Sequence, residues 1–222
     1  MLIASGSPPN PWISVDYVRQ NADVLVAATR QHLQLVSLGV GFGLLLALPL
    51  ALAARGHPRA ESLLLGVTGV VYTIPSLALF GVLAPLTGLT VTTVVIGLTG
   101  YTLLVLVRNV LAGLAGVPED VREAARGMGM GPLRMFVRVE LPLAFPTILA
   151  GVRVATVSTV ALATVGVVVS NGGLGQLIFE GLNRNLYRAE IFTATVLCVL
   201  VAAVADLLLL GLGRLLTPWA RR

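Results

Sequence analysis

The sequence predicts an all-α membrane protein with five transmembrane helices, its N-terminus outside and its C-terminus in the cytoplasm. Three observations lead there. Of 222 residues, 56% are hydrophobic and only 11% charged, and the mean hydropathy is +0.93; a soluble domain of this length needs more charge to cover its surface. Five apolar runs each exceed the roughly 20 residues that a helix needs to cross hydrocarbon. The runs do not alternate apolar and polar residues, which argues against the strands of a β-barrel.

Taken in order, residues 1–31 form an N-terminal segment, in which Asp16 to Arg30 reads as a short amphipathic stretch lying on the outer interface. It lacks a basic start followed by an apolar core and a small-residue cleavage site, so no cleavable signal peptide is expected. The membrane domain then occupies residues 32–216. Its spans are expected at His32 to Ala54, Ser62 to Leu86, Leu89 to Leu111, Leu143 to Val169 and Ile191 to Leu216. Gly39, Gly41, Gly43, Pro49, Pro75 and Gly81 punctuate these runs. In a membrane bundle, small residues let helices approach and neighbours satisfy freed backbone groups.

Arginine placement orients the bundle. Arg55 and Arg59 follow the first span, Arg122, Arg126, Arg134 and Arg138 the third, and Arg221 and Arg222 the fifth. The gap near Thr87 and Gly88 has no charge, and Arg184 and Arg188 are matched by Glu180 and Glu190. Arginine-rich loops stay in the cytoplasm. Arg19 and Arg30 on the outer side weaken this signal a little. The net charge of +5 is spread over short gaps rather than gathered on a polar domain, so no nucleic-acid partner is expected. The single Cys198 lies in an apolar run; it supports neither an intramolecular disulfide nor a metal site.

Charges within the apolar runs need partners. Arg153 lies about ten residues into the fourth span, roughly 15 Å from its cytoplasmic end. Asp206 lies at nearly the same depth in the fifth. An Arg153–Asp206 ion pair is the expected remedy; a later start to the fourth span, with Arg153 reaching back to the interface, is the alternative. Arg108 is expected to reach the interface from near the end of the third span. Asn109 is a candidate pathway residue, and His32 and His57 read as interfacial. Pro75, in mid-span, removes a hydrogen bond and can kink its helix, and Ser76 can satisfy the freed carbonyl. Tyr72, Pro75 and Ser76 are therefore candidates for a pathway wall or gate, beside a purely packing role for Pro75.

The block at about 117–140 is polar. Pro118 suits the first turn of a helix, and Glu119 and Asp120 lie at the positive end of its dipole. Val121, Ala124, Ala125 and Met128 fall on one face, with Arg122, Glu123 and Arg126 off it. Gly127, Gly129 and Gly131 end the helix, Pro132 can start another, and the fourth span follows near Leu141-Pro142. On these grounds the block is either a solvated loop with a little helix or a docking element; a structured loop of this length is uncommon without a role.

The spacing Glu123-Ala124-Ala125, then Gly129, then Val139-x-Leu141-Pro142 resembles the EAA signature of permease subunits of importer-type ATP-binding-cassette (ABC) transporters, with Val139 where that signature has Ile. The resemblance covers about Arg30 to Thr217. It implies that the block is a cytoplasmic coupling helix entering a cleft on an ATPase subunit. Glu123, Ala124, Ala125, Gly129, Leu141 and Pro142 would be the ATPase-coupling residues. The stretch Tyr72 to Leu79, the run Arg126 to Met130 and the run Glu140 to Arg153 look like permeases of quaternary-amine osmoprotectants: glycine betaine, choline, carnitine or proline betaine. Asn171 to Gly175 resembles that subfamily's GAGGLG segment, departing at Ser170-Asn171. Methionine permeases share the layout and the Gly172 to Gln176 run, so methionine import is the alternative.

The resemblance further implies a second permease subunit, two cytoplasmic ATPase subunits and an extracytoplasmic substrate-binding protein. A trimethylammonium group favours an aromatic cage. Tyr72, Phe80 and Tyr101 are scattered along the sequence, so high-affinity capture is assigned to the binding protein. No GxxxxGK[ST] loop is present; the chain is expected to be no enzyme and to bind no cofactor, with ATP and Mg used by the partner ATPase. An ion-coupled secondary transporter would instead call for an internal repeat and paired intramembrane carboxylates, and only Asp206 is available.

Overall fold

A computed structural model describes residues 10–170 and 172–221. Their regular structure is all helix, with no strand among the described residues. Residues 1–9, Asn171 and Arg222 lie outside that set. With them go part of the N-terminal segment, half of the Ser170-Asn171 step and one C-terminal arginine.

Helix α1 (Val15–Gln20) is capped by Ser14, whose hydroxyl accepts the Tyr17 amide at 3.1 Å. Helix α2 (Ala22–Ala54) follows at once, and its 33 residues make a rod of about 50 Å, longer than the hydrocarbon core. A separate interfacial segment reaching residue 31 is therefore not what forms: residues 22–31 open the first long helix. No Gly or Pro interrupts them. Leu25, Ala28, His32 and Leu35 continue one buried face across the expected boundary. His32 is itself fully buried, its Nε2 3.1 Å from the Val160 carbonyl oxygen, which corrects its reading as interfacial. His57 is exposed, just ahead of the next helix.

The second apolar run is not one kinked span. It forms α3 (Pro58–Thr73) and α4 (Ser76–Thr87), bent by 97°. Proline denies the helical region to the residue before it, and Ile74 is extended (φ −65°, ψ 128°). Pro75 itself takes ψ 134°, so two successive residues leave the helix and the kink becomes a break.

Helix α5 (Val91–Ala115), capped by the Thr90 hydroxyl, is the centre of the bundle. It packs chiefly on α2 and on the helix at Leu141–Val165, with α3 and α4 beside it. Leu98, Leu106, Val107, Val110 and Leu114 are buried along it. The α2–α5 approach depends on Gly43, where an added Cβ would lie 2.0 Å from the Thr102 hydroxyl.

Two short helices follow, α6 (Glu119–Gly127) and α7 (Pro132–Met135). Then come α8 (Leu141–Val165), α9 (Gly173–Asn183) and α10 (Arg188–Leu216). The second short helix is not separate from the fourth span: α7 passes through one π-helical turn, Phe136–Glu140, directly into α8. Pro142, without an N–H, sits at the first turn of α8, where a widened turn accommodates it. Four helical runs are long and apolar enough to cross a membrane, and the bent α3–α4 pair makes a fifth if counted as one span. Along α10, Val199, Leu200, Leu207 and Leu208 point outward, a surface suited to lipid.

Candidate functional site

The segment between α5 and α8 is a helix, a tight turn and a second helix. Pro118 is the residue before α6, with ψ 140°, rather than its first turn. In the first turn, Glu119 accepts hydrogen bonds from Arg122 at 3.0 Å and Arg126 at 2.6 Å. These hold its carboxyl below the usual carboxylate range. The helix ends in a Schellman turn: the Met130 amide donates to the Ala125 carbonyl at 3.1 Å and the Gly129 amide to Arg126 at 2.9 Å. Gly129 has φ +75°, a conformation that strains any residue with a Cβ. Its identity is set by this turn, and space around it is open.

The face expected from the sequence splits. Ala125 is 1% exposed, buried within this chain, whereas Ala124 and Glu123 are exposed and Met128 is 70% exposed. The helix is rolled so that Arg122 turns inward instead. At the tip Met128, Leu133 and Val137 are exposed, as are Arg126, Arg134 and Arg138. Leu141 and Pro142 are not at that tip. They stand at the head of α8, half-buried, with Leu141 packed against the buried cluster of Val110, Leu114 and Ala144.

The inward turn of Arg122 has a partner that sequence reasoning missed. Glu140 is 2% exposed and receives Arg55 in a fork, Nη1 to Oε2 at 2.7 Å and Nη2 to Oε1 at 2.5 Å. Arg122 Nε lies 2.9 Å from the same Oε1, and its Nη2 donates to the Leu114 carbonyl at 2.5 Å. One carboxylate thus joins the end of α2 and α6 to the start of α8, and Arg122 ties in the end of α5. The available signal was an acid directly before Leu141-Pro142, at the mouth of an apolar run; nothing local named its partners.

In mid-bundle, Arg153 and Asp206 face each other across α8 and α10 in a two-point pair, Nε to Oδ1 and Nη2 to Oδ2, both at 2.8 Å. Both side chains keep about a third of their surface open, 30% and 31%. Asn109 is held in a close α5–α8 contact: its amide donates to the Val105 carbonyl at 2.8 Å, and a Cβ on Gly151 would lie 2.4 Å from its Cβ. At the α3–α4 break, the Tyr101 hydroxyl, not Ser76, donates to the Ile74 carbonyl. Tyr101 also meets Tyr72 edge to face, centroids 6.0 Å apart. The aromatic residues called scattered in the sequence are therefore two adjacent ones plus Phe80, which is buried beneath Gly97. Among the described residues no group of His, Cys, Asp and Glu could hold a metal ion.

Residues 39–222 match the family model described as the inner membrane component of binding-protein-dependent transport systems. The osmoprotectant import permease protein OsmW of Salmonella typhimurium is 37% identical over 92% of this chain and 97% of its own. The choline transport system permease protein OpuBB of Bacillus subtilis is 34% identical over 92% and 94%. Among solved structures, an inward-facing form of the MetNI methionine ABC transporter matches with a TM-score of 0.78 over 89% of this chain and 98% of that one. At 22% identity that likeness speaks of the fold.

Proposed function

We infer that this chain, which belongs to the family of inner-membrane components of binding-protein-dependent transport systems, is the permease subunit of an ABC importer for quaternary-amine osmoprotectants. Glycine betaine, choline, carnitine and proline betaine are the substrate class. The observation that carries the importer reading is the α6 segment. It is a short polar helix ended by a Schellman turn, tied through Arg122 to the end of α5 and to Glu140 at the start of α8, with a small, partly apolar outer face. A solvated loop has no use for that framework. The substrate class is supported by relatives named for osmoprotectant and choline transport over nine-tenths of the chain.

In this reading the arginine-rich end that holds Arg55, Arg122 and Glu140 is cytoplasmic, the N-terminus is outside and the C-terminus inside. Helix α6 is the coupling helix, offering Glu123 and Ala124 to a cleft on an ATPase subunit. Two permease subunits face each other around the path, two ATPase subunits dock below, and an external binding protein delivers the cargo. ATP and Mg belong to the ATPase, since this sequence has no phosphate-binding loop. Closure of the ATPase pair would draw the two α6 helices together and shift the permease between inward- and outward-facing states.

Uptake by proteoliposomes tests this, with the chain, its ATPase and its binding protein, and ATP inside. Labelled glycine betaine, choline, carnitine and methionine are compared. Quaternary-amine uptake that stops without ATP is expected. Methionine uptake alone would overturn the substrate class, and uptake indifferent to ATP would overturn the importer.

A further inference from the structure

We propose that the Tyr72–Tyr101 corner at the break between α3 and α4 is a transient site for the quaternary ammonium group of the cargo on its way through the permease. This rests on the functional reading above and names the residues that would read the cation.

The geometry is that of one open ring backed by a buried one. The ring planes stand at 73° with centroids 6.0 Å apart, so the edge of one ring meets the face of the other and further ring surface is left over. Tyr101 is 5% exposed and Tyr72 is 42% exposed. The buried ring is fixed: its hydroxyl donates to the Ile74 carbonyl, which the 97° break has released from helical bonding. Tyr101 therefore braces both the break and the exposed ring beside it. Tyr101 lies ten residues into α5, about 15 Å from that helix's start, which puts the corner near mid-depth. Broken spans at that depth are where membrane transporters leave room for a substrate.

The chemistry of the place fits one kind of group. A quaternary ammonium carries a permanent charge and no N–H, so carbonyls and hydroxyls cannot bind it by accepting hydrogen bonds. It needs a carboxylate or the face of an aromatic ring. The carboxylate placed within the apolar spans, Asp206, is already held by two hydrogen bonds from Arg153. Tyr72 keeps 42% of its surface open, and α3 ends at Thr73, so the negative end of its dipole lies beside that ring and also favours a cation. A site of this kind holds the charge weakly, as a path must, and leaves tight capture to another protein.

Fluorotyrosine placed at position 72, in the permease–ATPase assembly in lipid nanodiscs, reports on this directly. Its fluorine NMR signal is expected to move saturably as choline is added, and to stay put with equal sodium chloride or with the neutral tert-butyl analogue of choline. No movement with choline, or the same movement with the neutral analogue, overturns the proposal. Transport at saturating loaded binding protein gives the second readout: Tyr72→Leu should slow quaternary-amine uptake about tenfold, while Tyr72→Phe, which keeps the ring, restores most of it. Phe179→Leu, at an exposed aromatic on α9, is the control expected to leave uptake unchanged. Wild-type rates in Tyr72→Leu would also sink the site. A choline-dependent fluorine shift in an assembly that carries no quaternary amine would keep the site and reject the functional reading. Uptake without any shift would do the reverse.

Discussion

Glu140 and Arg55, 85 positions apart in sequence, meet through two parallel hydrogen bonds of 2.7 and 2.5 Å, with Arg122 closing on the same carboxylate at 2.9 Å. Forked arginine–carboxylate pairs fix orientation as well as distance. Here the fork fixes the end of α2 on the start of α8, and Arg122 ties α6 to the same carboxylate and to the end of α5. Glu140→Gln would leave two arginines facing a neutral amide in a buried place. The expected loss is about 3 kcal/mol, the usual result of removing one member of a buried pair. Arg55→Gln should cost less, because Glu140 keeps Arg122. Thermal unfolding of the purified subunit in detergent orders the two variants, and the reverse order would mean that Arg122 contributes nothing.

The Arg153–Asp206 pair joins α8 to α10 at mid-depth through two bonds of 2.8 Å. Either residue alone would leave an unpaired charge among apolar helices. Arg153→Asp and Asp206→Arg are each expected to lose uptake, and the double exchange to regain a substantial part of it. Uptake assays on the three variants decide the matter. A double variant as inactive as the singles would assign the residues separate roles.

How much of this was legible in the sequence depends on whether the cause is local. The helix, turn and second helix at 117–140 were readable because Pro118, Gly129 and Pro132 each act on their own neighbours. The depth match of Arg153 with Asp206 was readable because a helix rises by a fixed amount per residue. By contrast, the roll of α6, which buries Ala125 and exposes Met128, depends on Arg122 reaching Glu140, a contact between elements. Burial of His32 likewise depends on Val160 from another helix. The first helix ran ten residues past its expected start because polar residues on one face say that a helix is amphipathic, not where its apolar face is covered. Pro75 in an apolar run predicts a kink and not a break, because the sequence does not tell one extended residue from two.

Glycines separate into two kinds that the sequence does not distinguish. A Cβ on Gly175 would lie 2.2 Å from the Thr164 carbonyl oxygen, whereas one on Gly41 would meet nothing within 4 Å. Backbone cannot step aside as a flexible side chain can. Gly175→Ala should therefore force α9 away from α8, at a cost of about 1–3 kcal/mol or more. Gly41→Ala should be neutral or slightly stabilising, since alanine is the better helix former. Unfolding midpoints of the two variants provide the comparison, and equal midpoints would mean that the α8–α9 contact yields freely.

Two adjacent alanines should fail in opposite ways. Ala125 is 1% exposed and Ala124 is on the open face of α6. Ala125→Trp inserts a large ring beneath the helix, so the subunit itself should lose about 1–3 kcal/mol. Ala124→Trp places the same ring in solvent, and the subunit should unfold at the wild-type temperature. If α6 enters a cleft on the ATPase, that ring fills the cleft, and the ATPase should no longer co-purify with the tagged permease. Measuring unfolding and co-purification on both variants separates folding from docking. An Ala124→Trp subunit that retains its ATPase and its full uptake would show that the open face of α6 is not the surface that couples the two proteins.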